Sequence, residues 1–281
     1  MKIIFICGSL EAGRDGVGDY VRCLACEFIR QGHIATAISI NDKYVGESLN
    51  EIQSVEGTDI SVLRIAASGN LSYRFLRAKK WIDEVDPDWI SLQFVPFSFN
   101  SKGIPFRFCK QIASLGLYRN WHIMFHELWV GMDKSPPFKH IILGWLQQHL
   151  IRSLIRKLKP KYIHTQSRFY QHQLNLIGVN PGYLPLFSNI LKGNSHKLTL
   201  LKEFKPDFRE IKLVLFGSIH PGAPVNLLAF EAFKYSIKNR VEICLVFLGL
   251  CGSEQDHWMT IWKSYGLKVK LMGEQPQETI S

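Results

Sequence analysis

The sequence predicts an α/β protein built on mostly parallel sheets. Segments of strand and helix character alternate along most of the chain, and repeated alternation of this kind favours a parallel sheet covered on both faces. An opening of the same kind occurs twice, an apolar strand running into a glycine-bearing loop and then a helix, first from Lys2 and again from Ile211. The composition, 46% hydrophobic and 21% charged over 281 residues, is ordinary for a globular chain long enough to hold one large or two moderate domains.

The first opening organises the rest. Ile3 to Ile6 read as a buried strand, Gly8, Gly13, Gly16 and Gly18 mark a loop, and an amphipathic helix ends at Gly32. Strand, glycine loop and helix in that order suit an anion, because glycines admit the ligand to the backbone and the helix N-terminus directs N–H groups at it. Gly16 and Gly18 supply G-x-G, but Val21 stands where the third glycine of a dinucleotide fingerprint belongs. The alternative is that these glycines only shape a strand-to-helix turn.

Further strands are expected at Ile34–Ile40, Ile60–Ile65, Trp89–Val95, Trp121–Phe125 and Tyr162–Gln166, with helices at Leu71–Val85, Phe106–Leu115 and Pro137–Lys159. Leu184–Phe208, richer in Asn, Gly, Pro and Lys, reads as a link. After it come strand Ile211–Phe216, helix Asn226–Ser236, strand Val241–Leu248, helix Asp256–Tyr265 and strand Val269–Met272. Residues 1–190 therefore form one expected Rossmann-like domain, 191–207 a linker, and 208–281 a second. At some seventy residues the second is short for a doubly wound unit of ~100 or more.

The N-terminal apolar run is too brief for a signal-peptide core, and no stretch has the apolar length of a membrane span, so a cytoplasmic protein is expected. The six cysteines lie in or beside apolar segments, and Cys23-x-x-Cys26 has no second pair to complete a zinc site; they read as buried packing residues. Charge is unevenly placed. Residues 134–202 carry eleven Lys and Arg and no Asp or Glu, which leaves 23 basic against 24 acidic residues elsewhere, so this segment holds the whole net charge of +10. Its helix has Phe138, Ile141, Ile142, Trp145, Ile151, Leu154, Ile155 and Leu158 at helical spacing, with Arg152, Arg156 and Lys159 along another side. A basic, aromatic-bearing helix suits an anionic membrane surface, and a core helix with a solvated basic face is the alternative. No nucleic-acid motif accompanies the basic segment, so nucleic acid is not an expected partner.

The run from Gly16 to His33, the Phe125-His126-Glu127-Leu128 stretch and the second opening at Leu215-Phe216-Gly217-Ser218 resemble the GT-B glycosyltransferases of family four, which are retaining and nucleotide-sugar dependent. The resemblance implies two Rossmann-like doubly wound domains and transfer of a sugar from a nucleotide-sugar donor to an acceptor, a lipid-linked or polysaccharide precursor being favoured, without metal or other cofactor. It also implies peripheral attachment to the inner face of the membrane, through Arg152, Arg156, Lys157, Lys159 and Lys161. By the same resemblance the second domain is incomplete: the sequence ends before the pair of glutamates that holds the donor in this family. The Arg and Lys that the family presents to the diphosphate are replaced here by Gly217-Ser218-Ile219-His220-Pro221-Gly222.

The resemblance makes His126, just after an expected strand, the sharpest catalytic candidate, with a histidine satisfied by backbone at a strand end as the alternative. A histidine there can orient a hydroxyl or share a proton. Glu127 beside it is the second catalytic candidate, as a base or only as a binder of an acceptor hydroxyl. Gly16, Gly18, Gly217, Ser218 and His220 are the expected donor and phosphate contacts, the amides of residues 16–19 included, since fixed donors stabilise the charge that develops on a departing diphosphate. Asp19 and Tyr20 are expected beside the acceptor, with capping of the helix an equal explanation for Asp19. Asp86-Pro87-Asp88 precedes a strand, as turns do, and His122 with His126 lacks the rest of an H-E-x-x-H site, so no metal is expected. Two further readings stay open. One is a non-catalytic nucleotide-sugar or glycan-binding subunit or an inactive fragment, and the other is an NAD-dependent oxidoreductase with Asp42 holding a ribose.

Overall fold

The computed structural model describes residues 1–116, 118–189, 210–220 and 222–275. The chain divides into two compact units, Met1–Asn189 and Ile190–Ser281. The expected linker 191–207 lies outside the described residues.

The first unit is an eight-stranded sheet in the order β3-β4-β2-β1-β5-β6-β7-β8. Its strands are β1 (Lys2–Cys7), β2 (Ile34–Asp42), β3 (Leu49–Val55), β4 (Thr58–Ala66), β5 (Trp89–Phe94), β6 (Asn120–Phe125), β7 (Tyr162–Thr165) and β8 (Gly182–Tyr183). Every neighbouring pair is parallel except β3 with β4. That hairpin turns at Glu56 and Gly57, both with positive φ (50° and 74°), which is the two-residue geometry whose twist matches paired strands. Strand β3 was not anticipated. It sits on the sheet edge with alternate residues exposed, and its polar sequence LNEIQSV carries little hydrophobic signal.

Helices α1 (Gly16–Arg30), α2 (Leu71–Val85), α3 (Pro96–Phe99), α4 (Phe106–Gln111), α5 (Phe138–Leu158) and α6 (Arg168–Leu176) connect the strands. The expected helix Phe106–Leu115 is split, since Ile112–Leu115 form a 3-10 turn. Odd and even strand positions face different layers. Ile90, Leu92, Phe94, Trp121, Ile123 and Phe125 join the large core that α2 and α5 complete, while Ile3, Phe5, Val21 and Ala25 form a smaller core under α1. On the α1 side of β5 to β7, Trp89 packs against the smaller core, and the polar residues Ser91, Gln93, His122 and His164 follow, with His126 just after β6.

Gly18 shows why α1 lies as close to the loop after β1 as it does. A Cβ at that position would stand 2.4 Å from the carbonyl oxygen of Ser9, a distance no side chain tolerates, so the helix can approach only because the residue is glycine. Along α5, Leu150, Ile151, Leu154 and Leu158 are buried, but Phe138 (74% exposed), Ile141 (51%) and Trp145 (56%) are not. The apolar stripe read from the sequence is therefore two faces, one in the core and one bare.

The second unit has three parallel strands in the order β11-β10-β9: β9 (Glu210–Phe216), β10 (Glu242–Leu248) and β11 (Lys268–Gly273). Helices α7 (Val225–Asn239) and α8 (Gln255–Ser264) supply its core, in which Ala229, Trp258 and Trp262 meet Ile243, Leu245 and Phe247. Each of its elements lies within a few residues of the sequence expectation.

Candidate functional site

In a sheet of this kind ligands gather beyond the carboxyl ends of the strands, near the place where strand order reverses. The order reverses here about β1, which lies between β2 and β5. At that end of the first unit is a cavity of about 610 Å³ walled by the loop after β1, the start of α1, the residues after β5, β6 and β7, and the Leu186–Asn189 stretch. A second cavity, of about 560 Å³ near Asp86, Asp88 and Arg119, lies at the opposite end of the strands, where the Asp86-Pro87-Asp88 turn leads into β5 and Asp88 accepts the backbone N–H of Lys2 at 2.7 Å.

His126 and Glu127 both line the first cavity, as do Gly16 and Tyr20. His126 follows β6, is 3% exposed, donates its backbone N–H to the Phe94 carbonyl at 3.1 Å, and accepts the Gln166 side-chain amide on its own carbonyl at 2.7 Å. The rings of Tyr20 and His126 meet edge to face with centroids 5.2 Å apart, and Phe187 stacks on Tyr20 at 4.6 Å. Burial pushes the His126 pKa down to about 4, so the imidazole is neutral at pH 7. Glu127 sits at the exposed rim. Desolvation by the surrounding atoms and the charge of Asp15 raise its pKa, and Asp15 is itself raised, mainly by burial. Two carboxyls with raised pKa values beside a neutral imidazole and tyrosine hydroxyls form a site suited to proton sharing with a bound hydroxyl.

The amides at the start of α1 are spoken for. Asp15 caps the helix, its Oδ1 accepting from Val17 N at 3.0 Å and Gly18 N at 2.8 Å, and the Asp19 amide donates to the Asp15 carbonyl at 2.9 Å. Of the four amides expected to face an anion, three are therefore engaged, and Gly18 serves close packing. Asp19 is engaged as well, receiving the Gly13 amide at 3.0 Å and Arg22 at 2.7 Å; it clamps the loop instead of facing the cavity. Gly217, Ser218 and His220 belong to the second unit, after β9, where His220 Nδ1 accepts the Gly222 amide at 3.0 Å.

Asp42 is closed to a ribose. It is fully buried, and both its oxygens accept bonds: from Ser9, Tyr44 N and Arg64 on one, from Leu10 N, Ser39 and Arg64 on the other. Burial alone would raise its pKa, but Arg64 and the donors around it hold the carboxyl below its usual range. Arg64 also pairs with Glu11 and Glu51. This cluster staples the loop after β1 to β2 and β4, so the oxidoreductase reading loses its ribose-binding residue.

Sequence reasoning missed Arg14, Asp15, Gln166, Tyr170, Phe187 and Asn189, all on the cavity wall. Asp15 carried a readable signal, an aspartate just before a helix. Ser167 carried another, since it caps α6 by accepting the Tyr170 amide at 3.1 Å. The Leu186–Asn189 stretch looked like linker, yet the Asn189 side-chain amide donates to the Gly16 carbonyl at 2.8 Å and closes one side of the site. Among the basic residues of the charged segment, Arg156, Lys157, Lys159 and Lys161 are exposed, whereas Arg152 is partly buried and donates to the Ile177 carbonyl at 3.3 Å.

No protein-family model and no curated protein matches the sequence. Solved structures do match in fold. An E. coli trehalose-6-phosphate structure bound with UDP-2-fluoro glucose aligns with a TM-score of 0.56 at 11% identity over 100% of this chain and 75% of its own. A glycosyltransferase from Rickettsia africae aligns at 0.54 and 13% identity, over 98% and 69%. A mutant of S. aureus TarM in complex with UDP and α-GlcNAc-glycerol aligns at 0.54 and 11%, over 98% and 78%. The chain thus has a glycosyltransferase-like α/β fold, shared with GT-B structures at low sequence identity.

Proposed function

We propose that this protein is a glycosyltransferase of the retaining, nucleotide-sugar-dependent kind, related to family four, and that its reaction takes place at the cavity bounded by Tyr20, His126, Glu127 and Tyr170. The observation that carries the reading is the pairing of a neutral buried histidine with an acidic rim at the carboxyl ends of β1 and β6. The fold shared with UDP-bound transferases supports it.

The chemistry follows from the charges involved. As the bond between sugar and diphosphate breaks, positive charge develops at the sugar carbon and negative charge on the leaving group, while the attacking hydroxyl must lose a proton. A neutral His126 accepts a hydrogen bond from a sugar hydroxyl without bringing a competing positive charge, and Glu127 at the rim is placed to bind or deprotonate an acceptor hydroxyl. Arg14, on the cavity wall, offers a cation to the diphosphate. Asp15 must yield the amides of Val17 and Gly18 before an anion can use them, which gives Gly16 and Gly18 a phosphate role only after that cap opens. Gly217, Ser218 and His220, after β9, are proposed as phosphate-binding residues within the second unit itself. Tyr20, on the cavity wall, is proposed as an acceptor contact.

The acceptor is proposed to be a lipid-linked or polysaccharide precursor met at an anionic membrane surface. Phe138, Ile141 and Trp145 provide apolar contact there, with Lys139, Arg156, Lys157, Lys159 and Lys161 supplying positive charge. No described helix is long and apolar enough to cross a membrane. The test is incubation with a panel of UDP- and GDP-sugars, with release of nucleoside diphosphate as the readout. Release with at least one donor, reduced ~100-fold or more in Glu127→Gln or His126→Ala, is the expected result. Binding of a sugar nucleotide without release from wild-type protein would instead favour a non-catalytic binding subunit, the reading that the capped α1 terminus suits.

A further inference from the structure

Behind the cavity, a row of polar side chains runs across three strands on one face of the sheet. His126 Nε2 lies 2.8 Å from Gln93 Oε1, the Gln93 side-chain amide 2.7 Å from Ser91 Oγ, Ser91 Oγ 2.7 Å from His122 Nδ1, and His122 Nε2 3.0 Å from His164 Nδ1. Ser91 is fully buried and Gln93 is 1% exposed, so water does not substitute for a missing partner along this stretch. Each member has a single choice to make. A neutral imidazole carries its proton on one nitrogen, a serine has one hydroxyl proton, and an amide points either its oxygen or its nitrogen in a given direction.

These choices are not independent. With the Gln93 nitrogen toward Ser91, the serine hydroxyl pairs its own proton by donating to His122 Nδ1, His122 then donates from Nε2, and His164 accepts on Nδ1. At the other end the Gln93 oxygen accepts a hydrogen bond from His126 Nε2–H. All three rings are then in the Nε2–H form. With Gln93 turned over, every bond reverses and all three rings become Nδ1–H. A mixed state either leaves two lone pairs or two hydrogens facing each other at 2.7–3.0 Å inside the sheet or makes Ser91 accept from both neighbours, with its own hydroxyl proton left without either of them. The Nε2–H form is also the one a free neutral imidazole prefers, and that preference acts three times in the same direction.

We infer that His126, His122 and His164 share a single tautomer choice transmitted through Ser91 and Gln93, and that this network presents His126 Nδ1 to the cavity as a hydrogen-bond acceptor. Gln93, Ser91, His122 and His164 are positioning residues. They decide whether the cavity meets a lone pair, which receives a hydroxyl, or an N–H, which favours an anion. The coupling does not depend on which reaction the cavity serves; only its meaning for a sugar hydroxyl rests on the transferase reading.

The test uses full-length protein labelled with ¹⁵N at histidine, without substrate, and long-range proton–nitrogen correlation spectra at neutral pH, in which protonated and unprotonated ring nitrogens resonate far apart. The His126 signals are assigned by their loss in His126→Gln. Wild-type His126 is expected to show an unprotonated Nδ1 and a protonated Nε2. In Ser91→Ala the Nδ1 signal should move toward the protonated position as both tautomers become populated, and His164→Asn should move it in the same direction. Ser91→Thr, which keeps the hydroxyl, should restore the wild-type spectrum. A protonated His126 Nδ1 in wild type overturns the inference, and so does a His126 spectrum unchanged in both Ser91→Ala and His164→Asn. Because the readout needs no donor, an inactive protein can still show the coupling and an active one can lack it.

Discussion

Acidification should unfold this protein through two particular rings. Burial pushes His122 and His126 down to about 4, against ~6.5 in an unfolded chain. Between those values the unfolded state binds protons that the folded state refuses, so stability falls as pH drops from 6.5 toward 4 and is fully present only above 6.5. Taking each ring alone, the loss between pH 7 and pH 5 is about 2 kcal/mol, and about 3–4 kcal/mol for the pair. That is a large share of the ~5–15 kcal/mol that holds a typical domain folded. His164, also lowered by burial, acts in the same direction. Asp15 and Glu127 act the other way, since their raised values mean that acid removes a penalty instead of adding one. Urea unfolding followed by circular dichroism at a series of pH values, in wild type and in a His122→Asn/His126→Gln double variant, isolates the histidine contribution. The wild-type curve should fall steeply below pH 6.5 and the variant curve should be flatter by most of that amount. Parallel curves would refute the assignment of neutral, buried rings.

Three other outcomes are expected. Gly18→Ala should lower stability by about 1–3 kcal/mol in a thermal melt, because the new methyl meets the Ser9 carbonyl and α1 must move off the loop. Arg64→Met should cost about 3–5 kcal/mol by leaving Asp42 buried without its cation, with the loss seen as faster hydrogen exchange in the loop after β1. Phe138→Ser/Trp145→Ser should weaken binding to vesicles containing anionic lipid several-fold, while leaving binding to neutral vesicles near background; equal binding by wild type and variant would remove α5 as the contact.

The fold was legible in the sequence wherever burial imposed a period. Strands β1, β5 and β6 are apolar on one or both faces, and their alternation with amphipathic helices stated the architecture. Strand β3 was not legible, because a polar edge strand pays little hydrophobic toll and is fixed by its partner β4 and the Glu56-Gly57 turn. Helix α5 was legible as a helix but not in its facing: its apolar residues satisfy helical spacing all along, and only packing shows that Phe138 and Trp145 lie outside. In the site, His126 and Glu127 stood out through the resemblance. The Gly16–Asp19 amides did not behave as the motif suggested, because a capping aspartate one residue upstream competes for the same donors. The polar row from Gln93 to His164 was invisible, since it is assembled across three strands separated by long connections, and no local spacing records it.

The central claim is that the first unit binds the reactants of sugar transfer at the cavity around His126. The most direct measurement is titration of histidine-labelled protein with the UDP- or GDP-sugar that gives nucleotide release, following the ring signals of His126 beside those of His33 and His257, which lie outside the cavity. A saturable shift of His126, at donor concentrations that also saturate release and with His33 and His257 unmoved, is the predicted result. Saturating release with an unshifted His126 would place the chemistry elsewhere in the molecule.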